Sequence, residues 1–444
     1  DGIRGRVGES PISADFMLRL GRAAGSVLKS LGGDGSVVIG KDTRLSGYML
    51  ETAMASGILS MGVDVLLIGP LPTPGVAYIT RSLRADAAVM LTASHNPYDD
   101  NGIKFFDRDG YKLDTSVEEQ IEELVFSGEI DKIRPTADAV GKALRIDDAL
   151  GRYIEFAKAS FPRGMTLDGY RIVVDGANGA GYKSTPCVLR ELGAEVFVYG
   201  NTPNGTNINK DCGSLHPTLL REAVIKHNAD IGIAHDGDAD RVILCDENAR
   251  IVDGDEILAI AGVDMLRHDR LRKNTLVATV MSNMGLDDAI RKAGGQVVRA
   301  PVGDKFVIDE MRRLDVNVGG EQSGHIIFRD FTTTGDGLIS ALQILGIMCA
   351  AGKPLSELSR VMTRFPQVLI NVRVRSKPAI ESLAPVQAAI QQAEAAVAGT
   401  GRVMVRYSGT EPLCRITLEG RDRGLIELHA QRIADAVRQQ IGAE

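Results

Sequence analysis

This chain of 444 residues has no basic excess, no long apolar run and no paired cysteines, and each absence removes a class of function. Lysine and arginine total 51 against 58 acidic residues, a formal charge of −7 with no block of like sign. Nucleic-acid binding through a basic face is therefore not expected, although a local anion pocket is still allowed. The five cysteines (Cys187, Cys212, Cys245, Cys349, Cys414) are scattered and contain no C-x-x-C spacing. Reduced thiols in a cytoplasmic protein fit that pattern, and a zinc site does not. The most apolar stretch, residues 337–352, is interrupted by Ser340 and Gln343. It is too short to span a bilayer and reads as a core helix, so no membrane partner is expected. No secretory signal is visible. The chain opens on Asp1-Gly2-Ile3-Arg4-Gly5 rather than on methionine, so a longer natural N-terminus is expected. Asn204-Gly205-Thr206 fits a glycosylation sequon but reads here as a turn.

What is present is ordinary in bulk: 44% apolar and 25% charged residues suit a globular enzyme. The length suggests three or four domains. Three stretches repeat one order of events. Each opens on an apolar strand (37–40, 171–174, 275–278) followed by a helical segment that ends near a glycine (Gly62, Gly193, Gly294). A second strand follows at once (63–68, 195–199, 296–299), and a third then runs into a polar loop. Those loops are residues 92–97, 235–241 and 319–325. Strands alternating with helices predict α/β layers, and the recurrence predicts three related α/β domains facing one cleft. From about Phe365 the pattern changes to strand, helix, strand, strand, helix, which predicts a small α+β domain. The expected domains are 1–147, 148–248, 249–364 and 365–444.

The loops carry residues suited to chemistry. Thr92-Ala93-Ser94-His95-Asn96-Pro97 follows the apolar run 87–91, so Ser94 should sit at the carboxyl end of a strand, where open α/β sheets place their ligands. His95 and Asn96 add a proton carrier and an amide. Asp236-Gly237-Asp238-Ala239-Asp240-Arg241 sets carboxylates at i, i+2 and i+4 on a tight turn, which can converge on one hard cation. An EF-hand is excluded although Glu247 falls at its twelfth position, because Arg241 stands where that loop needs glycine and a strand precedes it. Gly320-Glu321-Gln322-Ser323-Gly324-His325 offers Glu321 and Ser323 for vicinal hydroxyls and His325 for a proton or an anion. Arg406-Tyr407-Ser408-Gly409-Thr410-Glu411-Pro412, with Arg415 close behind, can cradle a phosphate. The glycine-rich residues 175–184 fail the P-loop test, since Tyr182 separates the last glycine from Lys183; they read as a tight strand-to-helix connection.

With these four loops in this order, the chain resembles the α-D-phosphohexomutase superfamily over essentially its whole length. The Gly-Glu-Gln-Ser-Gly-His loop is most similar to the branch acting on glucosamine phosphates, since phosphomannomutase-type relatives usually carry methionine at Gln322. The resemblance implies four domains around a central cleft and a phosphorylated Ser94. It implies one Mg²⁺ per chain on Asp236, Asp238, Asp240 and a phosphate oxygen of Ser94. Glu321 and Ser323 would take sugar hydroxyls, and Arg406, Ser408, Gly409 and Thr410 the non-reacting phosphate. Arg4, His95, Lys104 and Arg241 fall in matching motifs as candidates for proton transfer and charge stabilisation. Lys305 stands where similar enzymes often have arginine.

The activity so implied is interconversion of glucosamine 6-phosphate and glucosamine 1-phosphate for UDP-N-acetylglucosamine synthesis, with a sugar 1,6-bisphosphate as intermediate and activator. A phosphomannomutase or phosphoglucomutase using the same machinery is the nearest rival. A metal-dependent phosphatase would release phosphate, and a non-catalytic sensor would lack the serine or the aspartates. Lys104 could act as a base if burial or nearby cations lowered its pKa. Selection of the 2-amino group is expected from a polar group near C2, with His325 or its loop neighbours as candidates. The partner is a small sugar phosphate, with room for a homodimer.

Overall fold

In the computed structural model, which describes residues 2–30, 35–133, 135–408 and 411–443, the three repeats build three mixed sheets by one pairing rule. The first strand of each repeat is central: Ser36–Lys41, Arg171–Asp175 and Thr275–Thr279. The second pairs parallel on one side, as Asp64–Pro70, Glu195–Tyr199 and Gln296–Ala300. The third pairs parallel on the other, as Ala87–Leu91, Ile231–His235 and Val318–Gly320. A fourth strand then returns antiparallel to the third: Asp100–Asp107, Val242–Asp246 and Ile326–Phe328. The polar loops are these reversals, which puts all three at carboxyl ends of parallel strands. Ile3–Arg6 and Ala143–Arg145 complete the edges of the first sheet, and Ile251–Val252 extends the second.

The sequence pattern explains the layering. Every residue of Ala87–Leu91, Ile231–His235 and Thr275–Thr279 is buried, because helices cover both faces, and so these strands are continuous apolar runs rather than alternating ones. Gly62, Gly193 and Gly294 hold φ of +80°, +105° and +91°, the left-handed turn that ends a helix and feeds the next strand. The apolar stretch of the third repeat forms the helix Gly337–Ala351, mostly buried and N-capped by the Asp336 carboxylate on Ile339 N–H (2.9 Å). No single helix among the described residues is long and apolar enough to cross a membrane.

By internal packing the chain divides into two units: residues 1–281 with 293–361, and residues 282–292 with 362–444. The second holds an antiparallel sheet in which Leu413–Gly420 lies between Gln367–Arg373 and Gly401–Tyr407. Helices Ala384–Ala396 and Arg423–Ile441 close its core around Val386, Ile416, Leu418 and Ile433. The helix Met284–Lys292 belongs to this unit although its place in the chain is within the third repeat. Met284 N–H donates to Glu419 Oε1 (2.8 Å), and Asn283 Oδ1 accepts from Phe365 N–H (2.9 Å).

Candidate active site

Ser94 is 1% exposed and holds φ of +52°, a left-handed conformation that is costly for a residue with a Cβ. Its neighbours enforce it. Ser94 N–H donates to Thr92 Oγ1 (2.9 Å), whose hydroxyl donates to Asp42 Oδ2 (2.7 Å). The Ser94 carbonyl accepts from Arg44 Nη2 (3.0 Å) and Asn209 Nδ2 (2.9 Å). Arg44 is fully buried, with Nε on Asp42 Oδ2 (2.9 Å), and also donates to the carbonyls of Asn96 (3.0 Å) and Pro97. The sequence reading missed Asp42, Arg44 and Asn209. The available signal was Lys41-Asp42-Thr43-Arg44, a charged segment at the carboxyl end of a central strand.

Asp236, Asp238 and Asp240 converge as the loop pattern predicts: all are buried, with one oxygen from each within 4.8 Å of the others. The Ser94 hydroxyl donates to Asp236 Oδ2 at 2.6 Å, which joins the serine to the aspartates. Asp238 Oδ2 accepts from Thr73 Oγ1 (2.6 Å) and Lys104 Nζ (2.7 Å); Asp240 Oδ2 accepts from the same Nζ (2.9 Å). Among the described residues Asp238 Oδ1 and Asp240 Oδ1 are buried without a hydrogen-bond partner, although Arg241 Nε stands 3.9 Å from the latter. Unpartnered buried carboxylate oxygens are costly, and an oxygen-seeking divalent cation fits this donor set. A Cβ on Gly237 would come 2.5 Å from the Ser94 carbonyl oxygen, so the close approach of the two loops requires glycine there. Glu247 lies outside the cluster, where its carboxylate accepts from the Ser356 hydroxyl.

The aspartate loop is tied to all three repeats through successive carbonyls. Gly237 C=O accepts from Ala180 N–H (2.8 Å), Asp238 C=O from Thr73 N–H (3.0 Å), and Ala239 C=O from Gly337 N–H (3.1 Å). The glycine-rich residues before Ala180 form the tight connection expected, ending in the helix Ser184–Glu191.

Charge in the site is set by burial and by neighbours. Burial, reinforced by Asp238 and Asp240, pushes the Asp236 carboxyl up to about 8. Burial acts to lower the Lys104 pKa, but Asp238 and Asp240 outweigh it and hold the ammonium above its ordinary value. The condition for Lys104 to act as a base is therefore not met while both carboxylates face it. Burial, then Arg241 and Arg4, lower the His95 pKa, and Arg241 Nη1 lies 2.9 Å from His95 Nδ1. His95 Nδ1 in turn is 3.4 Å from Ser94 Oγ.

A pocket of about 510 Å³ opens beside the aspartates, lined among others by Arg4, Lys104, Arg241, Asp304, Glu321 and His325. Glu321 Oε1 accepts from Gly303 N–H (3.0 Å), and Ser323 Oγ reaches its other oxygen at 3.4 Å. His325 is 2% exposed; Nδ1 stands 3.6 Å from Asp240 Oδ2. Burial works against a charge on this ring, while Asp240 and Asp304 work for one and raise its pKa. The Gly335 N–H aimed at Nε2 (3.1 Å) needs a lone pair there, so the neutral tautomer carries its proton on Nδ1, facing Asp240. Lys305 Nζ engages the Leu113 carbonyl (3.1 Å) and Thr115 Oγ1 (2.9 Å). The pocket also holds Lys112, unsignalled by any motif, against Asp304 Oδ1.

In the second unit, Arg406 and Arg415 are directly opposed across an antiparallel pair. Like charges facing each other are destabilising, and Glu411, 2.8 Å from Arg415 Nη2, offsets the charge of one of them. Ser408 is buried, its Oγ accepts from Glu411 N–H (3.2 Å), and Lys377 Nζ donates to its carbonyl (2.6 Å). Gly409 and Thr410 lie outside the described residues.

A serine bonded to a buried aspartate triplet, at equivalent reversals of a triplicated α/β scaffold, defines a sugar-phosphate mutase, and the chain belongs to the phosphoglucomutase/phosphomannomutase family. Residues 1–131, 152–250 and 253–365 match its α/β/α domains I, II and III, and 369–436 its C-terminal domain. It is 58% identical to the phosphoglucosamine mutase of Syntrophotalea carbinolica, covering 100% of this chain and 97% of that one. It is 54% identical to the phosphoglucosamine mutase of Myxococcus xanthus, over 98% of this chain and 95% of that one. A family structure from Burkholderia thailandensis superposes with a TM-score of 0.84 at 23% identity, covering 100% of this chain and 98% of its own. An N-acetylphosphoglucosamine mutase from Aspergillus fumigatus, solved with GlcNAc-6P and magnesium, gives 0.60 at 20% identity over 86% and 93%.

Proposed function

We propose that this enzyme interconverts glucosamine 6-phosphate and glucosamine 1-phosphate through a phosphorylated Ser94. The observation that carries the mechanism is the 2.6 Å hydrogen bond from the Ser94 hydroxyl into the buried aspartate triplet. The resting enzyme holds the phosphoryl group on Ser94 Oγ. That P–O bond breaks as a sugar hydroxyl, O1 or O6, attacks phosphorus, and the proton it gives up ends on the departing Ser94 Oγ, which leaves as the free hydroxyl. The resulting 1,6-bisphosphate turns over in the site, and its other phosphoryl group returns to Ser94. Mg²⁺ on Asp236, Asp238 and Asp240 would neutralise charge on the transferring group.

Arg4, Lys104 and Arg241 surround the anion with fixed positive charge. Lys104 acts as a cation in the described state and becomes a base only when another positive charge claims its two aspartates. Glu321 and Ser323 take vicinal ring hydroxyls, and Arg406 with Arg415 and the Ser408 loop takes the distal phosphate. The five cysteines, all free in the structure, suit a reducing cytoplasm.

The deciding experiment measures kcat/KM for glucosamine, glucose and mannose phosphates with catalytic bisphosphate present. Glucosamine phosphate should be preferred by at least about tenfold. Mannose phosphate turning over equally well would overturn the substrate, and full activity in Ser94→Ala would overturn the mechanism.

A further inference from the structure

The proposed substrate differs from glucose phosphate by one group, the 2-ammonium, and a cation in a buried pocket needs an anion opposite it. The pocket has three candidate carboxylates among the described residues: Asp240, Glu321 and Asp304. Asp240 belongs to the metal cluster and also holds Lys104. Glu321 receives Gly303 N–H and Ser323 Oγ and faces the hydroxyls. Asp304 remains.

It opens the helix Asp304–Leu314, and its side chain is 13% exposed. Both of its hydrogen bonds fall on Oδ1, from Lys112 Nζ and Lys305 N–H (2.8 Å). Among the described residues Oδ2 accepts no hydrogen bond; His325 Nε2 stands 3.9 Å from it. Burial disfavours its charge, but His325, Lys112 and Lys104 outweigh burial and bring the carboxyl down to about 2. His325 itself is poorly placed for the amine, since its two nitrogens already face Asp240 and the Gly335 N–H.

Position agrees with charge. Glu321 Oε1 accepts from the backbone N–H of Gly303, the residue before Asp304, and both carboxylates line the same pocket. On a hexosamine phosphate the only vicinal hydroxyls are those at C3 and C4, and C2 is the next carbon along the ring. With Glu321 on the C3 and C4 hydroxyls, a second carboxylate lining the same pocket has C2 within its neighbourhood.

Resting on the proposed substrate, we infer that Asp304 is the specificity-determining residue, its Oδ2 accepting the 2-ammonium of glucosamine phosphate. Lys112 and Lys305 hold Oδ1 and aim the carboxylate, and Glu321 sets the ring's register against it.

The test compares kcat/KM on glucosamine 6-phosphate and on glucose 6-phosphate for wild type, Asp304→Asn and Asp304→Ser. Thermal unfolding of each variant checks folding, and the serine variant retains a small acceptor at the helix start should the asparagine prove unstable. The glucosamine-to-glucose ratio should fall about ten- to hundredfold in the variants, the loss expected for a charged hydrogen bond. Activity on glucose 6-phosphate should fall by less, because its neutral 2-hydroxyl loses an uncharged donor's hydrogen bond rather than an ion pair. A ratio unchanged in folded variants, or equal losses on both sugars, overturns the role of Asp304 and leaves the mutase reading standing. A wild type without preference for glucosamine overturns the substrate reading and this inference with it.

Discussion

Arg44→Lys should cripple the enzyme without touching a group that contacts substrate. In the native loop one planar guanidinium serves four acceptors: Asp42 through Nε, and the carbonyls of Ser94, Asn96 and Pro97 through its two Nη atoms. A lysine ammonium keeps the charge beside Asp42 but is a single compact donor on a different stem and cannot span that fork. The three carbonyls then keep only their second donors, Asn209 Nδ2 for Ser94 and Asn96, and Asp100 N–H for Pro97, and lose the charged one, so a net loss of about 1–3 kcal/mol is expected. Arg44→Met should cost more, about 3–5 kcal/mol, because it also leaves Asp42 buried and unpaired. Burial already raises the Asp42 pKa with Arg44 as the strongest opposing influence, so the methionine variant should protonate Asp42 and lose less at low pH.

Catalysis should suffer out of proportion to stability in the lysine variant. Ser94 holds its left-handed backbone only because the loop around it is fixed, and a shift of about 1 Å in a nucleophile costs on the order of a hundredfold. The loss should appear in kcat, with KM for the sugar phosphate nearly unchanged, since Glu321 and Ser323 lie on another loop. Steady-state kinetics at saturating bisphosphate, with thermal unfolding in parallel, reads both effects. An Arg44→Lys enzyme within about threefold of wild-type kcat and with unchanged Tm would refute the argument.

Three further outcomes follow from the geometry. Titration calorimetry should find one Mg²⁺ per wild-type chain and no binding to Asp238→Asn, because the substitution removes a buried anionic oxygen that has no other partner; wild-type affinity in the variant would disprove the site. Burial raises Asp336 to about 6, above its unfolded value, so the stability it contributes is complete below about pH 4 and lost as pH rises through 6. Asp336→Asn keeps the helix cap and a Tyr153 acceptor, so its Tm advantage over wild type should grow between pH 4 and 6 and then level off, at up to about 3 kcal/mol; a pH-independent difference would be inconsistent with this. Arg406→Gln should raise KM for either sugar phosphate by about tenfold or more with a smaller change in kcat, because the contact proposed for it, to the non-reacting phosphate, would be made equally in ground and transition states.

Much of this was legible in the chain because it is local. Apolar runs bounded by polar turns marked the strands, and the spacing of Asp236, Asp238 and Asp240 marked the cluster, since both depend on residues a few positions apart. What escaped depends on tertiary pairing. The sequence offers Lys104 as a base only on the condition that burial or nearby cations lower its pKa, and the partners that decide this lie 134 and 136 residues away and raise it instead. Arg44 looks like a surface charge until the fold places Ser94 and Asn96, 50 and 52 residues on, around it. The helix Met284–Lys292 reads as part of the third repeat by order, and only side-chain pairing with Glu419 and Phe365 assigns it to the second unit.

The three successive carbonyls of Gly237, Asp238 and Ala239 have a consequence for hydrogen exchange. Their donors, the amides of Ala180, Thr73 and Gly337, belong to different repeats and are far apart in the sequence. Movement of residues 237–239 breaks all three bonds at once. Amide exchange at Thr73, Ala180 and Gly337 should therefore proceed through one shared opening, with a common free energy and a common response to denaturant. The aspartate loop thus makes a single cooperative unit of peptide groups from three repeats, and the slowest-exchanging amides of the first unit are expected to cluster around the chemistry.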